Sequence, residues 1–194
     1  LVERVAGLPI VFDAVDSISH LFAQTAAHAA RWTQRLTARM DLRRTERFEA
    51  LAPHAFARTL VTSPVDRDAF VRLAGPGAAS RVAVVPNGVD WNYFTATRAS
   101  VEPATLIFSG KMSYHANEAA ATHLVTRVMP EVWRSQPDAK LMVAGRAPSK
   151  ALRALGADPR VEVTGFVEDL RPLFAKATVA VSPLLYGAGI QNKV

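Results

Sequence analysis

Apolar and polar positions come in blocks along this chain, short apolar runs giving way to longer stretches at helical spacing. Leu8-Pro9-Ile10-Val11-Phe12 predicts a strand that ends at Asp13-Ala14-Val15-Asp16-Ser17. A single long helix is expected from about Ser19 to Ala52. Trp32, Leu36 and Met40 recur every four residues, Phe48 and Leu51 continue that apolar side, and Pro53 closes the helix. Arg58 to Thr62 predicts a second strand. Ser63 then caps a helix with Pro64 in its first position, and Gly75-Pro76-Gly77 breaks it. Arg81 to Val85 reads as a third strand, ending at Pro86-Asn87-Gly88-Val89-Asp90.

Residues 95–103 hold few large apolar side chains and read as a connector, which divides the chain into 1–97 and 98–194. Beyond it the alternation sharpens. Strands are expected at 105–108, 140–145, 161–165 and 179–184. Between them lie a helix with Ala120, Ala121, Leu124, Val125 and Val128 on one face, a short helix near 149–155, and one capped by Asp169 that buries Leu173 and Phe174. Strands alternating with helices at this interval mean βαβ units and mostly parallel sheets, an α/β chain.

Composition narrows the picture. The 194 residues are 49% apolar with modest charge, as in a packed globular chain. With no cysteine there is neither a disulfide nor thiolate chemistry. No apolar run is long enough to span a membrane. The start, Leu1-Val2-Glu3-Arg4, has no initiator Met and no signal-peptide layout, and the chain stops in a glycine-rich turn, so both ends read as cut. The formal net charge is +6, with much of it in Arg31, Arg35, Arg39, Arg43, Arg44 and Arg47. Their spacing puts most of them on one side of the helix, where they would attract anionic lipid, nucleic acid or an acidic neighbour. A solvated face is the plainer reading of such a run. Few aromatics interleave and no nucleic-acid motif is present, so nucleic acid is not expected as a partner.

In an open parallel sheet, ligands bind past the carboxyl ends of the strands. Four strands of the second half end in glycine: Gly110, Gly145, Gly165 and the pair Gly187 and Gly189. Glycines there admit tight turns and let backbone N–H groups approach a phosphate. Lys111 follows Gly110 directly and would project from the rim as a point charge, and Lys193 raises the same prospect. Asn117 could cap the following helix or touch a ligand, with the cap the plainer role. Asp13 and Asp16, at the end of the first strand, are candidate acid–base or hydroxyl-binding groups, with helix capping the plainer role for Asp16. Among the five histidines only His115, in the loop after Lys111, stands near this chemistry, and none has metal-ligand spacing. No GxSxG, Walker loop or GxGxxG occurs.

Several ordered segments carry a resemblance. Val84-Val85-Pro86-Asn87-Gly88-Val89-Asp90 with Tyr93-Phe94, Phe108-Ser109-Gly110-Lys111-Met112 with Asn117, Val163-Thr164-Gly165-Phe166-Val167, and Gly189-Ile190-Gln191-Asn192-Lys193-Val194 resemble the group 1 glycosyltransferases of GT-B fold. The last loop is also similar to that of the bacterial exopolysaccharide-associated sugar transferases. The resemblance implies two Rossmann-like domains of GT-B type, both incomplete in this chain, facing across a cleft. The C-terminal one would bind a nucleotide-sugar donor and the N-terminal one a saccharide or lipid-linked acceptor. It implies retention of configuration, no bound metal and no cofactor. Gly110, Lys111, Gly187, Gly189, Ile190 and Lys193 would meet the donor diphosphate, and Gly165, Phe166 and Val167 would lie on the nucleobase side. The expected location is the cytoplasm, with peripheral contact at the inner face of the membrane through the Arg31–Arg47 stretch. There are departures: the first of two glutamates that relatives space eight apart is Gly187 or Ala188 here, a second basic position is Asn117, and Val15 precedes Asp16 where relatives carry histidine. A sugar-nucleotide epimerase and a non-catalytic nucleotide-sugar-binding module are the alternatives, and the chain by itself is expected to be inactive.

Overall fold

The computed structural model describes residues 8–29, 32–95 and 101–186. Two compact units divide between Gly88 and Val89. Each is built on its own parallel sheet.

The first unit carries strand β1 (Val11–Val15), helices α1 (Ile18–His28) and α2 (Trp32–Ala55), strand β2 (Arg58–Val61), helix α3 (Pro64–Ala74) and strand β3 (Val82–Val84). The three strands lie side by side in the order β1-β2-β3. Ala52, Val61, Phe70 and Val82 form the buried core, with Phe12, Ala14 and Phe56 packed on it. Phe12 stacks on Phe56 at 5.1 Å between centroids. Helix α3 follows local rules: the Ser63 hydroxyl accepts from the Asp66 N–H, Pro64 opens the helix, and Gly75 at φ 89° ends it.

Three expectations need correction in this unit. The first strand is shifted: it runs over Val11–Val15, so Asp13 lies within β1 rather than past its end. Val11, Asp13 and Val15 form its open face, the alternation of a half-covered strand. The single long helix is two helices, and α2 runs two residues past Pro53, which sits buried in its last turn. Finally, Trp32, Leu36, Met40 and Leu51 do not face the core. The buried side of α2 is Ala38, Glu49, Ala52 and Pro53.

The second unit carries strand β4 (Thr105–Ser109), helices α4 (His115–His123) and α5 (Met129–Ser135), strand β5 (Lys140–Ala144), helix α6 (Lys150–Ala154), strand β6 (Val161–Gly165), helix α7 (Arg171–Lys176) and strand β7 (Val179–Ala180). The strand order is β6-β5-β4-β7, all parallel. One face of the sheet meets a core of Phe108, Met112, Leu124, Met129, Leu141, Val143 and Leu152. The other face packs Ile107 and Met142 against Leu170, Leu173 and Phe174. Both faces being covered explains the continuous apolar runs of β4 and β5. Between α4 and α5 the chain widens into a π-helical turn over Leu124–Val128. Pro130 follows directly, and because it has no N–H and its ring crowds the carbonyl four residues back, the turn relaxes there. β7 is shorter than its apolar run suggests: only Val179 and Ala180 pair, with Leu106 and Ile107.

Candidate functional site

The carboxyl ends of β4, β5 and β6 form a rim whose loops are laced by backbone. The Gly110 N–H donates to the Ala144 carbonyl at 3.0 Å, the Gly145 N–H to Gly165 O at 3.1 Å, and the Met112 N–H to Arg146 O at 3.0 Å. Gly145, at φ 149°, leaves no room for a side chain: a Cβ there would lie 1.7 Å from the Gly110 carbonyl oxygen. Gly165, at φ 76°, turns the chain out of β6 into Phe166, whose ring is exposed. Gly110, Lys111, Gly165, Phe166 and Val167 therefore sit along one sheet edge.

Lys111 is exposed at the end of β4 and forms no ion pair with a described residue. Its carbonyl accepts the Tyr114 N–H at 3.0 Å and the Asn117 side-chain amide at 3.1 Å. Asn117 thus ties the loop to the third residue of α4. It does not cap the helix, since a cap accepts from the first-turn N–H groups. No side chain caps α4, so its first-turn N–H groups carry the partial positive charge of a helix start beside the Lys111 loop. His115 opens that helix, and burial lowers its pKa, favouring the neutral imidazole.

Arg146 belongs to this rim and was missed in the sequence. It is exposed, follows Gly145 as Lys111 follows Gly110, and its backbone is bonded to the Lys111 loop through Met112. The repeated pairing of a glycine with a cation at adjacent strand ends was the available signal. The rim can hold an anion between two cations and a set of N–H groups. Gly187, Gly189, Ile190 and Lys193 lie outside the described residues.

The first unit places its two aspartates in different settings. Asp13 is exposed on the open face of β1, and its carboxylate accepts the Val15 N–H at 3.3 Å. Asp16 follows the strand, accepts the Thr62 hydroxyl at 3.1 Å, and does not cap α1. Ser17 does that, through the His20 N–H. Burial raises the Asp16 pKa, Thr62 opposes the rise, and nearby Asp66 adds to it. Between the aspartates Val15 stands at φ 63°, a left-handed conformation that a β-branched residue rarely adopts. Its carbonyl accepts the Thr62 N–H at 2.7 Å.

Beneath Asp16 lies a polar knot. The buried Glu49 carboxylate takes the Ser17 hydroxyl at 2.9 Å and both the N–H and hydroxyl of Ser19. The buried Asp66 takes the Ser17 N–H at 2.9 Å and the Ser63 hydroxyl. Neither is in an ion pair with a described residue; N–H and O–H donors satisfy both. The knot pins the start of α1, the later part of α2 and the start of α3 together, and so fixes the strand end that carries Asp16. Among the described residues no three His, Cys, Asp or Glu side chains converge as metal ligands. No described helix is long and apolar enough to cross a membrane.

Two parallel sheets with helices, the second with glycine-cation turns at its carboxyl ends, are Rossmann-like, and the likeness to solved structures gives the GT-B glycosyltransferase fold. Residues 103–194 match the family model described as glycosyl transferases group 1. In fold the chain is similar to the crystal structure of HepE from Anabaena in complex with UDP and glucose. There the TM-score is 0.58 and the identity 18%, over 89% of this chain and 45% of HepE. A second structure of HepE, with UDP-glucose, gives 0.53 and 16% over 89% of this chain and 46% of that one. The crystal structure of TarM gives 0.56 and 11% over 71% of this chain and 27% of TarM. The chain thus spans less than half the length of the solved structures it matches, and at these identities the likeness is one of fold. No curated protein matches the chain in sequence.

Proposed function

We propose that this chain is part of a glycosyltransferase that moves a sugar from a nucleotide-sugar to a saccharide or lipid-linked acceptor, in the cytoplasm and with retention of configuration, as in bacterial polysaccharide assembly. The observation that carries this is the rim at Gly110-Lys111 and Gly145-Arg146 within the matched domain. In the transfer, the bond from the anomeric carbon to the diphosphate breaks and the acceptor oxygen bonds that carbon on the same face. The acceptor proton passes to a base, for which Asp16 is the candidate. Charge grows on the departing diphosphate, and N–H groups and cations held in place beforehand stabilise it there. Lys111, Arg146 and the start of α4 have that character, and neither a metal nor a cofactor enters the proposal. Phe166 and its neighbours Gly165 and Val167 offer a face for the base, and Lys193, Gly187, Gly189 and Ile190 complete the diphosphate side. Uracil is the first base to test, since HepE was crystallised with UDP and with UDP-glucose.

The test is a thermal-shift screen of the full-length protein with UDP, GDP, ADP and their sugars, followed by transfer of labelled sugar. A ligand at about 100 times its Kd adds about 2.7 kcal/mol of stability and so raises the melting temperature by several degrees. Lys111→Ala is expected to cut that rise by more than half. No shift with any nucleotide at millimolar concentration refutes the donor-site reading. Label that stays in the nucleotide pool with altered stereochemistry turns it to an epimerase.

A further inference from the structure

Two rows of side chains run beside each other along the open face of α2. One is Trp32, Leu36 and Met40, continued by Arg44; the other is Arg39, Arg43 and Arg47, continued by Leu51. Residues three and four apart are neighbours on a helix, so Leu36 lies beside Arg39 and Met40 beside both Arg43 and Arg44. The apolar members stand open: Trp32 is 73% exposed, Leu36 51%, Met40 68% and Leu51 65%. All four arginines are exposed, and among the described residues none is in an ion pair. The opposite side of the helix is taken up by its packing on the first unit.

Neither of the two ordinary surroundings fits this face. Water favours the arginines but not a tryptophan, a leucine and a methionine in line. An apolar protein partner would have to strip four guanidinium groups of water with no carboxylate to receive them. A bilayer interface suits both kinds of side chain at once. The tryptophan ring and the aliphatic groups settle at the boundary of headgroups and acyl chains. The arginine stems lie along that apolar layer while their heads reach lipid phosphates. We propose that this face of α2 docks the protein on an anionic bilayer, with the helix axis in the plane of the surface. The inference deepens the reading of a lipid-linked acceptor and rests on it only for the use of such docking, because vesicle binding and sugar transfer are measured apart.

The experiment is co-sedimentation of the full-length protein with phosphatidylcholine vesicles and with the same vesicles containing phosphatidylglycerol. Binding is expected only to the anionic vesicles and is expected to fall with added salt. Arg43→Glu with Arg47→Glu is expected to lower partition by at least about 25-fold, at about fivefold for each arginine lost. Trp32→Ser with Leu36→Ser and Met40→Ser is expected to abolish binding while melting within about 3 °C of the parent, as surface changes do. Transfer to a water-soluble acceptor in detergent is expected to be unchanged in both variants, and its loss would overturn the assignment of this face as a docking surface alone. The docking proposal is overturned if anionic vesicles do not sediment the protein, or if both variants bind as the parent does. A fall of about 10 °C in the triple serine variant also overturns it, because that face is then buried against protein.

Discussion

Gly145→Ala tests the rim most directly. Two costs follow from the geometry. An alanine must adopt φ 149°, outside the conformations that L-residues favour, and its Cβ would stand 1.7 Å from the Gly110 carbonyl oxygen. Real Cβ atoms keep about 3.0 Å, so the Gly110-Lys111 backbone must retreat by about 1.3 Å. That neighbour is backbone and cannot swing aside as a side chain would. The backbone term costs about 1–2 kcal/mol and the overpacking about 1–3 kcal/mol. Together they predict a fall in melting temperature of about 4–20 °C. The chemical consequence is larger, since a misplacement of about 1 Å costs on the order of 100-fold in rate. The assay is steady-state sugar transfer with calorimetric nucleotide binding and a thermal melt on the same preparation. Gly77→Ala is the control, because a Cβ there meets nothing within 4 Å. If Gly145→Ala keeps kcat/KM and nucleotide affinity within about threefold of the parent, the close approach of the two loops does not set the donor site, and the reasoning fails.

Asp16 and Glu49 provide two further tests. Burial holds the Asp16 pKa above the ordinary 3.8, so the folded chain binds this proton more tightly than the unfolded one. Its charged form then costs stability, a cost absent at low pH that sets in as pH rises through 3.8 toward the raised value. Asp16→Asn is expected to melt higher than the parent near about pH 7 and to lose that advantage near about pH 3, while its transfer rate falls; a lower melting temperature at neutral pH would refute the burial argument. Glu49→Ala removes the acceptor for three buried donors and is expected to cost about 3–4 kcal/mol, a fall of about 10 °C in a melt. A change under about 2 °C would show that the knot does not bind the three helices together.

The elements most legible in the sequence are those fixed by neighbours along the chain. Ser63, Pro64 and Gly75 bound α3 because a cap, a preset φ and a left-handed exit are all local needs. β4 and β5 are legible because sheets covered on both faces demand unbroken apolar runs. Helix α2 shows the limit of such reading. Periodicity tells which side chains share a face, not what covers that face, and the row at Trp32, Leu36 and Met40 faces outward. Glu49 reads as surface because its partners Ser17 and Ser19 are about thirty residues away in sequence. Asp13 reads as a loop residue because an open strand face tolerates charge, and only pairing with Leu60 reveals the strand. Of the candidate site, Gly110, Lys111 and Gly165 are legible as strand ends. Arg146 follows the strand-ending Gly145 as Lys111 follows Gly110, so its place at the rim was legible by the same rule.

The places where this chain departs from local rules have a pattern of their own. Three helix starts conform: Ser17, Ser63 and Ser149 each accept a first-turn N–H. Among the non-glycine residues described at positive φ, Val15 and Ala147 stand at the carboxyl ends of β1 and β5, with Ala104, ahead of β4, as the exception. Each such residue costs on the order of 1–2 kcal/mol. Asp16, whose charge burial penalises, adjoins Val15, and Gly145, with no space for a side chain, stands two residues before Ala147. Local conflict that survives in a folded chain is held by something stronger behind it. Here those are the apolar cores under each sheet and the Glu49–Asp66 knot. A stable sheet has no need of strain at its edge, since glycine at Val15 or Ala147 would relieve it. Under the transfer reading proposed above, we infer that this strain sets each strand end, Val15–Asp16 in one unit and Gly145–Arg146 in the other, before a ligand arrives.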